Sequence, residues 1–164
     1  MPLLSKIAQT KKIKYFINDI PKTAKILEIG YGSGWLRDHM KKNGWEAYVG
    51  LDAFGYADIV GDIKNWRRLG LTPGSFDVII AFEVVEHVQC FQECFDLLRS
   101  GGLLMLTSPV PHFDWLCRLL EIIGLNQKRT SQHRCIYFKD IPLFTPLKLQ
   151  TVGLLAQWGI FQKK

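Results

Sequence analysis

Residues 24–35 read Ala24-Lys25-Ile26-Leu27-Glu28-Ile29-Gly30-Tyr31-Gly32-Ser33-Gly34-Trp35. The first six are a short apolar run with β-branched members, long enough for a buried parallel strand. The run stops in three glycines at alternate positions, Gly30, Gly32 and Gly34. A polar stretch with helical periodicity follows over 33–43 and is closed by Gly44. Strand, glycine turn and helix together let a backbone approach a bound nucleotide at a helix N-terminus.

The spacing of the glycines narrows the ligand. A dinucleotide-binding turn has the form G-x-G-x-x-G, and its third glycine position is occupied here by Trp35. The observed form is E-x-G-x-G-x-G, with Glu28 at the end of the strand. A carboxylate there suits a ligand carrying positive charge better than one carrying a pyrophosphate.

Working outward, residues 3–20 read as an amphipathic helix with apolar Leu3, Leu4, Ile7, Ile13, Phe16, Ile17 and Ile20 among lysines, ended by Pro21. A second strand over 46–52 and a third over 57–62 each end in a carboxylate, Asp52 and Asp62. A short helix is expected over 63–70, then a turn at Thr72-Pro73-Gly74-Ser75. The longest apolar run, 76–84, should be a central strand. A helix over 86–100 should stop at Gly101-Gly102, and a fifth strand should span 103–107. Beyond it come a helix over 115–125, a polar and basic loop over 126–138, and a last helix over 147–158. Strands alternating with helices give a mostly parallel α/β sheet.

A chain of 164 residues with 48% hydrophobic content suits one domain with a proper core. No apolar run approaches the ~20 residues that span a bilayer. The basic residues 1–15 lack the apolar core of a signal peptide, so a cytoplasmic protein with no membrane partner is expected. The four cysteines lack the paired spacing of a zinc site and read as reduced, mostly buried thiols. The net charge of +6 is uneven. Residues 1–25 carry six lysines against Asp19, and residues 122–164 carry seven basic residues against Asp140. The acidic middle suits a cationic ligand, while basic flanks leave nucleic acid as an alternative partner.

Two further stretches complete a pattern. Phe76-Asp77-Val78-Ile79-Ile80-Ala81-Phe82-Glu83-Val84-Val85-Glu86-His87-Val88 and Leu98-Arg99-Ser100-Gly101-Gly102-Leu103-Leu104, taken with the glycine turn, resemble the class I S-adenosylmethionine-dependent methyltransferases, in particular the small-molecule branch of the quinone-biosynthesis type. The resemblance covers residues 24–110 well and departs from the usual proline at Ser100. It implies a Rossmann-like methyltransferase sheet with helices on both faces, and a single domain over 1–164. Residues 1–21 would be an N-terminal helix, 24–110 the cofactor-binding core and 111–164 a lid and shortened C-terminal part.

The resemblance also implies a set of site residues. S-adenosylmethionine, leaving as S-adenosylhomocysteine, would meet Glu28 and the turn Gly30, Tyr31, Gly32, Gly34 and Trp35. Asp52 would take the ribose diol, with Ala53 and Phe54 on the adenine and Asp62 with Ile63 at its amino group. Ala81 and Phe82 would line the methionine end. Glu83, His87 and Tyr137 are the candidates on the acceptor side, the acceptor being a small molecule. An RNA-directed enzyme and a catalytically silent binding subunit are the alternatives. On a helix, Glu83, Glu86 and His87 would share one face, and relatives with E-x-x-E-H hold magnesium or manganese there. His112 or His133 would have to complete such a site, and no metal is included among the expected ligands.

The family sheet has seven strands, whereas the strand count here reaches five, with residues 159–164 at most a stub of a sixth. A truncated C-terminal hairpin is therefore expected. The apolar fifth strand must then be covered by the terminal stub or by a second copy in a homodimer.

Overall fold

The computed structural model describes residues 3–111, 136–153 and 155–164. The expected helix over 115–125, most of the loop over 126–138, and His112 and His133 lie outside the described residues. Strands β1 (Ile26–Ile29), β2 (Tyr48–Asp52), β3 (Ile59–Val60), β4 (Phe76–Phe82), β5 (Leu98–Pro109), β6 (Phe144–Val152) and β7 (Ala156–Lys163) form one sheet in the order β3-β2-β1-β4-β5-β7-β6. The first five are mutually parallel, and β7 runs antiparallel to both β5 and β6.

Helix α1 (Leu3–Lys12) runs into a π turn over Ile13–Ile17; helices α2 (Trp35–Lys42) and α3 (Phe91–Leu97) follow β1 and precede β5. Alternation along the strands divides the core between the two faces of the sheet. Val78 and Ile80 of β4, with Met105 of β5, pack against Phe16, Ile17, Leu36 and Met40. Ile79 and Ala81, with Leu104 and Leu106, pack against Cys94 and Leu97 of α3. Cys90 and Cys94 are buried free thiols.

The C-terminal part corrects the expected truncation. The hairpin is complete: residues read as a helix over 147–158 supply most of β6 and the start of β7. Leu147 and Leu149 alternate with Lys148 and Gln150, a period of two. The signal is weak because β6 is an edge strand whose Leu147 and Leu149 remain 55% and 46% exposed. Pro146 is tolerated at that edge, beside a shift in register. The expected terminal stub does pair beside β5, with Gly159 opposite Leu106 and Gln162 opposite Leu103. That pairing removes the reason for a second copy to cover β5.

The expected helix over 86–100 is also shorter, starting only at Phe91 and giving way to β5 at Leu98. The terminus closes this corner. Lys163 Nζ donates to the carbonyls of Phe95 at 2.6 Å and Leu98 at 2.7 Å, over the Phe95 ring. A cation bonded to the last carbonyls of a helix satisfies groups the helix itself leaves open. Lys163→Met should keep the packing but lose both charged hydrogen bonds, costing on the order of 1–3 kcal/mol in urea denaturation. An unchanged midpoint would show that the terminus does not anchor α3.

Candidate functional site

The carboxyl ends of β1, β2 and β4 meet at the glycine turn. Gly30 N–H donates to Leu51 O at 2.8 Å, and its φ is +83°. A Cβ there would stand 2.3 Å from Val84 Cγ2, so this position has no room for a side chain. Gly32 is different: its backbone faces open space, and its N–H donates to Asp52 Oδ2 at 3.0 Å. The other oxygen of Asp52 accepts from Phe54 N–H at 3.1 Å. A partly exposed carboxylate is thereby fixed across the turn, in reach of a polar ligand lying on it.

Tyr31 contributes backbone to the turn, while its ring folds behind it. A Cβ added at Gly34 would approach the Tyr31 hydroxyl to 2.6 Å, and one at Gly50 would approach the ring to 2.4 Å. Arg37 donates to the Tyr31 hydroxyl at 3.1 Å and pairs with Asp58 at 2.8 Å, and Asp58 accepts from Gly50 N–H at 2.8 Å. The turn is thus buttressed by a network on the α2 side. Trp35, half-buried, packs on the same side.

Glu28 lies under the turn, 3% exposed, and accepts a hydrogen bond from the Tyr48 hydroxyl. Burial pushes its carboxyl up to about 8, against the opposing effect of Tyr48, and the charges of Asp52 and Asp58 push the same way. The Tyr48 hydroxyl is raised as well, by burial and by Glu28.

Beyond β2, Ala53 and Phe54 are exposed, Phe54 to 83%, and Tyr56 and Val60 leave further apolar surface uncovered at the same rim. Asp62 caps the short helix Ile63–Asn65 by accepting from Lys64 N–H at 2.9 Å. The Ile63 side chain is buried in the core, which leaves only its backbone to face a ligand.

At the end of β4, Ala81 is fully buried and Phe82 lies against the Phe16 ring at 4.9 Å, with Lys12 Nζ over its face at 4.9 Å. Glu83 then turns the chain with φ +58°. Its Oε1 accepts from Thr107 at 2.6 Å and from Lys12 Nζ at 3.3 Å. Helix α1 is therefore tied directly to the site. His87 is exposed and donates its N–H to Val84 O at 2.8 Å. Tyr137 borders a separate hollow of about 210 Å³ beside β6 and β7, with Gln157 and Trp158.

Residues 83–87 form a turn, so the shared helix face assumed for Glu83, Glu86 and His87 does not exist. Among the described residues no group of three or more His, Cys, Asp and Glu side chains is arranged to hold a metal. Glu86 is instead 2% exposed, with Oε2 lacking a hydrogen-bond partner, as does the buried Ser108 Oγ. Burial, then the charge of Glu83, raises the Glu86 carboxyl to about 7, with a smaller opposing effect from its own backbone N–H. The sequence offered Glu86 as a metal ligand only, and the structure shows it as a buried carboxyl. Lys12, Tyr48 and Thr107 carry no local motif, and only the fold brings them here.

Residues 5–141 match a family model described as a methyltransferase domain. A Mycolicibacterium smegmatis protein described as a probable S-adenosylmethionine-dependent methyltransferase is 32% identical over 98 residues, spanning 51% of this chain and 37% of that protein. A structure of an S-adenosylmethionine-dependent methyltransferase so described from Listeria monocytogenes superposes with a TM-score of 0.70 at 11% identity, covering 97% of this chain and 99% of that one. Geranyl diphosphate C-methyltransferase from Streptomyces coelicolor A3(2), solved with Mg2+, geranyl diphosphate and S-adenosyl-L-homocysteine, gives 0.61 at 10% identity, covering 97% and 79%.

The raised carboxyl of Glu28 sets a pH dependence. Between the ordinary value of 4.5 and about 8 the folded chain holds a proton that the unfolded chain releases. Stability therefore falls as pH rises through that window. Glu28→Gln keeps an acceptor for Tyr48 and removes the titration. Its thermal midpoint should gain on the parent as pH goes from 5 to 8, by an equivalent of on the order of 2–4 kcal/mol. Parallel curves would show that Glu28 does not titrate there.

Proposed function

The chain belongs to the class I S-adenosylmethionine-dependent methyltransferases, and we propose that it transfers the donor's methyl group to a small-molecule acceptor. The observation that carries this reading is the Asp52 carboxylate fixed against Gly32 N–H at the joined ends of β1 and β2. The hydroxyls of a nucleoside ribose lying on the turn would donate to that carboxylate, while the uncrowded backbone at Gly32 gives it room.

The residues present fit this cofactor. Gly30, Tyr31, Gly32 and Gly34 supply backbone, Asp52 the ribose acceptor, and exposed Ala53 and Phe54 an apolar face for the adenine. Asp62 has its Oδ1 on the cap of the short helix and would offer its other oxygen to the adenine amino group. Ala81 and Phe82 close the methionine end, and Glu28 under the turn favours a positively charged ligand. When bound, the sulfonium supplies a methyl group on a good leaving group, so the protein's task is alignment.

Glu83, His87 and Tyr137 remain the proposed acceptor-side residues. Glu83 is positioned by Thr107 and Lys12, and it orients groups above β4 and β5. A small acceptor suits the concave hollow of about 210 Å³ that Tyr137 borders beside β6 and β7. The fold-level likeness to geranyl diphosphate C-methyltransferase is in keeping with this.

Incubation with methyl-labelled S-adenosylmethionine and a fractionated cell extract separates the acceptor classes. Label is expected in the small-molecule fraction. Label confined to RNA, with transfer falling steeply as salt is raised, would replace this reading with the RNA-directed one.

A further inference from the structure

A second recess lies away from the glycine turn. It has a volume of about 330 Å³ and is lined among the described residues by Lys11, Lys14, Tyr15, Lys148, Gln150, Val152 and Trp158. Three lysines line it, and no carboxylate is among those lining residues. The remaining lysine of this helix end, Lys12, is directed to Glu83 instead. Like charges around one cavity repel, and an anion placed between them removes that cost.

The other walls are aromatic and apolar. The Tyr15 and Trp158 rings meet edge to face at 5.4 Å, and Lys148 Nζ sits over the Tyr15 ring at 4.0 Å. The Tyr15 hydroxyl is buried without a hydrogen-bond partner, an unusual cost for a polar atom. The backbone that presents Lys14 and Tyr15 is the π turn Ile13–Ile17, a rare conformation that recurs at functional sites. Phe16 in the same turn touches both Phe82 and Trp158, at 4.9 and 5.5 Å. The recess is thus one aromatic ring away from the end of β4.

We propose that this recess binds an amphipathic anion, with a phosphate or carboxylate head on Lys11, Lys14 and Lys148 and an apolar body against Tyr15, Val152 and Trp158. Its volume lies at the small end of the range for small-molecule sites, so the ligand is a single soluble molecule. Head and body must both be present for tight binding. The ammonium groups are exposed and hold a bare ion weakly, while the aromatic floor is too small to hold an uncharged chain alone.

Calorimetric titration with octyl phosphate, octanol and inorganic phosphate tests the three parts separately. Octyl phosphate should bind with one site at least tenfold tighter than either of the others, and more weakly as salt is raised. The double charge reversal Lys14→Glu with Lys148→Glu, at exposed positions, should weaken it at least tenfold. The thermal midpoint and S-adenosylhomocysteine affinity of that variant should match the parent. Equal binding of octyl phosphate and octanol, or an unaffected double variant, would overturn the proposal. So would binding only to phosphatidylglycerol vesicles, which would make the lysines a membrane-facing surface. S-adenosylhomocysteine binding in the same sample separates this inference from the reading of the glycine turn. Cofactor binding without octyl phosphate binding defeats only the recess, and the converse defeats only the cofactor reading.

Discussion

The close approach of Gly30 to Val84 is the constraint on which the functional end of this molecule depends. With a Cβ excluded at 2.3 Å, β1 can turn sharply beneath the segment that leaves β4. Only in that position does the next glycine, Gly32, present its N–H to Asp52 at the end of β2. The ends of β1 and β2 are thereby joined by the Gly30 N–H on Leu51 O and by the Asp52 carboxylate, with Val84 packed against Gly30. The cost is a left-handed backbone at Gly30, Gly32 and Gly34, which glycine adopts without strain. The neighbouring side chains follow from it: Tyr31 has space behind the turn because Gly34 and Gly50 leave it.

Much of this was readable from the amino-acid sequence, because its signals are local. A strand needs only a few adjacent apolar residues, and a left-handed turn needs glycine at particular positions, so residues 24–35 announce both. The ends of β2, β3 and β4 are legible in the same way. Longer-range determinants were not. Residues 83–90 carry helical spacing, yet Val84 is committed to Gly30 and Val85 and Glu86 are buried, so tertiary packing overrides propensity until Phe91. Residues 147–158 carry no clear strand signal because the edge strand β6 has no buried face to impose an alternation. Among the site residues, the glycines and Asp52 follow from spacing. Lys12, Tyr48 and Thr107 act at the site only because α1, β2 and β5 carry them there.

Burial also divides the carboxylates at this end of the sheet into two kinds. Asp52, Asp58 and Glu83 hold backbone N–H groups or basic side chains near the surface. Glu28 and Glu86 lie inside, pushed up to about 8 and about 7 mainly by loss of water. A cationic ligand above Glu28 would favour its ionised form. Glu86, in the turn that follows β4, has one oxygen left unpartnered.

Calorimetric titration of S-adenosylhomocysteine into the parent and into Asp52→Ala tests the central claim most directly, with NAD as the control ligand. The account predicts one site on the parent, no useful binding of NAD, and at least a tenfold loss in Asp52→Ala from two charge-assisted hydrogen bonds worth on the order of 1.5–3 kcal/mol each. Binding of NAD without S-adenosylhomocysteine, or equal affinity in the two proteins, would contradict it.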